Sequence, residues 1–163
     1  EAVRSVQALV GGSGLAQRED AVDHRPPGGL AAVGEEGVEL ARVLIGHCGD
    51  TTDLRYLRSI ADAGSFLGMD RYGVPTPSTD ERNATVIGLC EEGYLDQVLL
   101  SHDHPSTTDS FDQKELSARP DWHPRFIADR VLPALRAAGL SDADVGAITV
   151  TNPRRWLAPC RPY

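Results

Sequence analysis

The sequence predicts an α/β fold, with parallel strands joined by helices, as part of a larger barrel. Three observations predict it. Apolar runs end in Ile45-Gly46-His47, Gly68-Met69-Asp70 and Ser101-His102-Asp103. A helix-like segment follows each run. Strand starts near residues 42, 65 and 97 are spaced as strand–helix units of a parallel sheet. Three strands are too few to close a barrel, which needs eight and about 250 residues. The alternative is a small open sheet covered on both faces. Parallel strands place all their C-termini on one rim, so His47, Asp70 and Asp103 are predicted to be close in space.

Taken in order, residues 1–30 carry the breakers Gly11-Gly12-Ser13-Gly14 and Pro26-Pro27-Gly28-Gly29 and read as linker, with an apolar remnant at Val6 to Val10. The glycines fit neither GxGxxG nor a GK[ST] phosphate loop. Leu30 to Glu36 reads as a helix ended by Gly37. The strand ending at His47 follows. Asp50-Thr51-Thr52-Asp53 offers N-caps to a helix bearing Leu54, Leu57, Ile60 and Ala61 at helical spacing, ended by Gly64. A strand over 65–70 leads into a loop made irregular by Pro75 and Pro77. Asp80 starts a helix with apolar face Ala84, Ile87, Cys90 and Tyr94, ended by Gly93. The third strand covers 97–103. Residues 104–122 have no periodicity, a length that suits a functional or disordered loop. Phe126 to Ala138 is an amphipathic helix containing Pro133, which should kink it or set its first turn. Ser141 to Asp144 is an N-cap segment, and a last helix starts near Asn152-Pro153, with Trp156 and Leu157 packing.

The chain has 163 residues, net charge −8 and 40% hydrophobic residues, with a sequence pI of about 5.0. That suits one domain with a real core. The acidic balance disfavours nucleic acid as a partner. No apolar run approaches the roughly 18–20 residues needed to cross a bilayer. No signal peptide is visible, although the chain starts at Glu1. Cys48, Cys90 and Cys160 lack CxxC spacing, which argues against a disulfide framework or structural zinc site and for a reducing cytoplasm. Cys90 reads as a packing residue.

Chemistry is sought at the strand ends. A neutral imidazole at His47 suits Zn, Mn, Fe or Co, and Gly46 lets the backbone approach a neighbour or ion. The carboxylate of Asp103 can bind a metal and accept a proton. Taken alone, each also reads as a hydrogen-bonded strand-end residue. His102 should face the other side of the strand, which leaves His104 nearer the rim. Asp70 and Arg71 add a carboxylate and a guanidinium, as a surface pair or a bridge between carboxylates. Asp50 reads as an N-cap or as support for the site. Trp122 walls a pocket or pins the long loop. His24 reads as a bystander, and His123 ends the long loop. A catalytic metal needs three protein ligands and water, and two candidates fall short of that.

Several motifs together resemble one family. They are Val43-Leu44-Ile45-Gly46-His47-Cys48-Gly49-Asp50-Thr51, Gly64 to Gly73 (GSFLGMDRYG), Leu100 to Asp103, Val131 to Leu135 and Thr151 to Arg155. In order, they are similar to the C-terminal part of the phosphotriesterase family, which includes phosphotriesterase-like lactonases and lies in the amidohydrolase superfamily. The resemblance implies a TIM-type (β/α)8 barrel of which this chain holds about the last three strand–helix units plus C-terminal helices. It implies two divalent metals, zinc, bridged by hydroxide, and attack on a lactone, ester or organophosphate. His47 would bind one metal. Asp103 would bind the other and shuttle the proton. Asp70, Arg71 and Tyr72 would lie beside the substrate, and the loop through Trp122 would cover it.

The resemblance spans residues 34–163 and leaves 1–33 as a poorly structured or unrelated segment. The family's first-strand His-x-His and its metal-bridging fourth-strand lysine or glutamate have no counterpart, since Lys114, the sole lysine, follows the third strand. His24 stands too near His47 to serve as the fifth-strand histidine. The implied protein is a truncated, catalytically incomplete hydrolase. The alternatives are a non-enzymatic remnant, a homo-oligomer that completes its sheet with a second copy, or a small domain binding an anion at helix N-termini.

Overall fold

The computed structural model describes residues 30, 34–105 and 113–158. The readings made for residues 1–29, including His24 and the glycine cluster, and for Cys160 lie outside the described residues.

Three parallel strands form one sheet in the order β1 (Leu44–Ile45), β2 (Phe66–Met69), β3 (Val98–Leu100). The pairing sets Leu44 opposite Phe66, Leu67 opposite Val98 and Met69 opposite Leu100. All four residues of β2 are buried, as a central parallel strand with both faces covered requires. The strands are shorter than the apolar runs suggested. Backbone pairing nonetheless continues past them: Phe66 N–H donates to the Val43 carbonyl, Ser101 N–H to Met69 and Tyr72 N–H to Ser101.

Helices follow β1 and β2 in chain order, named here α1 (Leu54–Asp62) and α2 (Thr79–Glu91). Asp53 is the N-cap of α1 and accepts from Tyr56 N–H at 3.1 Å, a cap worth about 1 kcal/mol. Leu57, Ile60 and Ala61 are buried on its inner face, as the periodicity predicted. Ser78 starts α2, two residues before the expected Asp80, because Ser78 and Glu81 form a reciprocal capping box. The inner face of α2 also differs from the apolar reading. Arg82, Asn83, Thr85, Val86 and Leu89 are buried, whereas Ala84 is exposed and Ile87 and Cys90 are half-buried. Polar side chains occupy that face, Arg82 and Thr85 hydrogen-bonded to backbone carbonyls, so hydrophobicity alone located it one step around the helix.

Past β3, a short helix α3 (Gln113–Ser117) interrupts the long segment before Trp122. Two further helices contain wide turns. A π-turn over Ile127–Val131 runs into α4 (Leu132–Ala137), and α5 (Asp142–Gly146) runs through a π-turn over Ala147–Thr151 into α6 (Asn152–Trp156). Each π-turn closes with an i→i−5 bond, Leu132 N–H to Ile127 and Asn152 N–H to Ala147, just before Pro133 and Pro153. Proline lacks a donor and crowds the carbonyl four residues back, and a widened turn accommodates both. Pro153 therefore sits second in a helix that is already running. Leu157, expected to pack, is 65% exposed, because α6 ends at Trp156 and the chain turns outward.

The core lies around β2. Leu57 and Ile60 of α1, Val86 and Leu89 of α2, Val98 of β3, and Val131, Leu135 and Ile148 of the C-terminal helices are buried with Leu67 and Met69. Each such side chain contributes about 1.5–3 kcal/mol of burial. Asn152 is fully buried and donates its amide to the Leu95 and Val98 carbonyls at 2.8 and 2.9 Å, tying α6 to β3. No helix among the described residues is long and apolar enough to cross a membrane.

Candidate functional site

All three strands release their chain at the same rim, and each exit turn contains a non-glycine residue with positive φ. These are His47 at 61°, Arg71 at 59° and Asp103 at 48°. Non-glycine residues rarely adopt this conformation, and where they cluster a site is the first place to look.

At the β1–β2 corner, Asp70 Oδ2 meets His47 twice. The His47 backbone N–H donates to it at 2.8 Å, and His47 Nδ1 lies 3.0 Å from it. The hydrogen bond holds the left-handed backbone, and the electrostatic contact faces the ring toward the carboxylate. Nδ1 is thus turned to Asp70, which leaves Nε2 for a ligand, the arrangement in which a carboxylate orients a metal-binding imidazole. The His47 side chain is half-exposed, whereas Asp70 is 8% exposed. Burial pushes the Asp70 carboxyl above the usual carboxylate range, against the two His47 contacts that lower it. The close approach depends on Gly49, where an added Cβ would fall on the Asp70 carbonyl oxygen. At Gly46, the glycine singled out in the sequence, it would meet Asp70 Oδ2 at an ordinary 3.7 Å.

Arg71 does not pair with its neighbour Asp70. Its Nη1 reaches Asp50 Oδ2 at 2.6 Å and its Nε reaches Asp103 Oδ2 at 3.5 Å. The bridge between two carboxylates is therefore built from the β1 and β3 ends, with Arg71 between them. Asp50 belongs to the one-turn helix Cys48–Asp50, and the cap of α1 is Asp53. Asp103 is half-exposed, and its N–H donates to Ser101 Oγ at 3.2 Å. Cys48, between His47 and Gly49, is buried, and its thiol is pushed up to about 12, first by burial and then by the Asp70 charge. It is not a nucleophile at neutral pH.

Trp122 pins rather than walls. It is 6% exposed, its indole N–H donates to the His102 carbonyl, and the His104 ring meets it edge-on with centroids 5.8 Å apart. His104 Nδ1 is buried against this wall. Tyr72 is fully buried, and burial raises its hydroxyl pKa; its side chain packs in the core. His123 packs edge-on against Phe126. A cleft of about 260 Å³ between Gly73–Pro75, Ser78, Thr79 and residues 118–121 has none of His47, Asp70, Arg71 or Asp103 in its walls.

Sequence reasoning missed Arg82. It is 1% exposed on α2. Its guanidinium donates to the Gly49 and Thr76 carbonyls and lies 3.5 Å from Asp50 Oδ1. The signal was present: Arg82, Val86 and Leu89 lie on one helical face, and an arginine in line with buried apolar residues must itself be buried and paired.

The donor set fits a divalent metal in part. His47 offers an oriented imidazole and Asp103 a carboxylate, but no group of three or more His, Cys, Asp or Glu side chains able to hold a metal ion occurs among the described residues.

The rim can be compared with known proteins. The sequence model of the Phosphotriesterase family matches residues 14–157, reaching upstream of Gly34, where the resemblance is placed to begin. A phosphotriesterase homology protein of Mycobacterium tuberculosis is 43% identical over 123 residues, covering 74% of this chain and 38% of that protein. An aryldialkylphosphatase of Saccharolobus solfataricus is 36% identical over 128 residues, 76% of this chain and 41% of that protein. Among solved structures, the phosphotriesterase from Mycobacterium tuberculosis superposes with a TM-score of 0.75 at 41% identity, over 79% of this chain and 40% of that one. The organophosphorus hydrolase from Deinococcus radiodurans gives 0.72 at 35% identity, over 81% and 42%. The chain thus spans about two fifths of the length of the relatives it matches. A three-stranded parallel sheet with a polar rim, a family match over most of the chain and relatives of this identity agree: the chain belongs to the phosphotriesterase family.

Proposed function

We propose that this chain forms the C-terminal part, from residue 34 onward, of a metal-dependent hydrolase acting on a small ester, lactone or organophosphate. β1, β2 and β3 then correspond to the last three strands of the barrel. One observation carries the reading: a single rim holds an imidazole 3.0 Å from a buried carboxylate and, at the β3 exit, a half-exposed carboxylate 3.5 Å from an arginine. The names of the relatives, an aryldialkylphosphatase and an organophosphorus hydrolase, support the substrate class.

In this reading His47 Nε2 and the Asp103 carboxylate hold divalent metal, with zinc the best match to an imidazole and carboxylate pair. When bound, such a metal polarises the oxygen under attack and lowers the pKa of water. The chain's own residues do the rest. Asp70 keeps the His47 ring in place. Asp103 accepts the proton released during attack, and Arg71 orients its carboxylate and balances its charge. Asp50 fixes the other end of Arg71. The remaining ligands come from outside residues 34–163, so this part of the barrel by itself is catalytically incomplete. A cytoplasmic location and association through the open edge of β1 belong to the same proposal.

The test is zinc titration of the full chain with hydrolysis of an aryl phosphotriester and a lactone. Weak zinc binding, lost in His47→Ala and Asp103→Asn, with turnover near background, is expected. Zinc binding indifferent to both substitutions would remove the site. Tight stoichiometric zinc with robust turnover would refute incompleteness.

A further inference from the structure

Arg82 is a buried guanidinium in the first turn of α2. Burying such a charge is costly unless its donors are used. The chain uses the two terminal nitrogens on the turns that carry the site, while the buried Nε has no hydrogen-bond partner among the described residues. Nη1 donates to the Gly49 carbonyl, two residues after His47. Nη2 donates to Thr76 in the loop after β2 at 3.3 Å and lies 3.5 Å from Asp50 Oδ1. The other oxygen of that carboxylate, Oδ2, accepts from Arg71 Nη1 at 2.6 Å, and Arg71 Nε faces Asp103 Oδ2. Charges therefore alternate along one line: Arg82, Asp50, Arg71, Asp103. The inner end is sequestered and the outer end is half-exposed.

We infer that Arg82 is a positioning residue: it clamps Asp50 from beneath, so that Asp50 holds Arg71 aimed at Asp103. Three features support this. Asp50 is only part-buried and sits in a single 3-10 turn, too short to hold its own carboxylate rigidly. Arg71 occupies a left-handed exit turn, so its direction needs support from its far end. The planar fork of arginine spans a carbonyl on one nitrogen and a carbonyl with a carboxylate on the other, which lysine's single ammonium does not. The geometric link stands without the hydrolase reading and rests on it only for what Asp103 does.

The test reads Arg71 directly in the metal-free full chain. Its Nε–H signal in a nitrogen-15 NMR spectrum is assigned by its loss in Arg71→Lys. In the parent chain this proton is protected from exchange. In Arg82→Met its exchange accelerates about tenfold or more as the charge-assisted contacts loosen, while the backbone amides of β2 and β3 keep their positions. Asp50→Asn, which cuts the next link at a part-exposed side chain, gives the same acceleration. Should Arg82→Met fail to fold, Arg82→Lys replaces it with the same expectation. An Arg82 that merely supports the fold would lower the unfolding midpoint and leave the Arg71 signal protected. That result, in Arg82→Met or Lys or in Asp50→Asn, overturns the inference. Failure of zinc binding or hydrolysis would leave this measurement untouched, so the two readings fail separately.

Discussion

At the β1–β2 corner the Asp70 carboxylate is almost sequestered and takes the His47 backbone N–H, with the ring Nδ1 3.0 Å away, whereas beyond β3 the Asp103 carboxylate is half-exposed and meets Arg71 at 3.5 Å. Both residues stand at the end of an apolar run and look alike in sequence. Their surroundings divide the work. A buried carboxylate with a backbone donor and an imidazole beside it is a fixed bracket, held by packing and a hydrogen bond. A half-exposed one with a long contact is held more loosely. The difference teaches that the rim combines a rigid corner with a looser end.

The largest effect should come from breaking the rigid corner at its tightest point. Gly49→Ala drives a Cβ into the Asp70 backbone and should destabilise the chain by about 2–4 kcal/mol. Gly46→Ala, with open contact distance, should cost less than about 1 kcal/mol. Urea unfolding of the two variants side by side checks the contrast.

Next comes the comparison itself. Asp70→Asn removes the charge that accepts the His47 backbone N–H and faces its ring, and should cost about 1.5–3 kcal/mol. Asp103→Asn should stay within about 0.5 kcal/mol of the parent. Equal losses would erase the distinction between bracket and looser end.

A smaller effect should have opposite signs at the two ends. Glycine relieves a left-handed backbone, and Asp103→Gly leaves little unpaired, so stability should hold or rise by up to about 1 kcal/mol. His47→Gly relieves the same backbone strain but deprives buried Asp70 of its ring partner, and should lower the unfolding midpoint.

The smallest effect at neutral pH concerns the thiol inside the corner. Burial raises Cys48 from its ordinary 9.0 to about 12. A thiol raised by folding keeps its proton in the native state, so its contribution is complete below the unfolded value and is lost as pH rises through the folded one. The unfolding midpoint should therefore fall between about pH 9 and 12, and less steeply in Cys48→Ala. In a Cys160→Ser background, native-state alkylation at pH 8 should be slow at Cys48.

Much of this organisation was legible beforehand, for identifiable reasons. Leu57, Ile60 and Ala61 recur at helical spacing, and α1 buries those same residues. The apolar runs at 44, 66 and 98 became parallel neighbours because a buried strand must be apolar on both faces. The partnerships were not legible. Asp70 stands next to Arg71 in the chain, yet pairs with His47, 23 residues away, because consecutive residues at a strand exit project differently and register decides who meets whom. The partners of Arg82 were hidden for a related reason: they are carbonyls and a carboxylate delivered by other segments.

The sequence by itself determined the alternation of strand and helix, the residue types at each strand exit and the family, since these reside in local periodicity and in motifs read along the chain. Only the tertiary structure decided that Asp70 serves His47, that Arg71 spans Asp50 and Asp103, and that Arg82 stands beneath them. Such pairings depend on strand order, register and burial, and on the directional reach of a few hydrogen bonds, none of which a one-dimensional pattern contains.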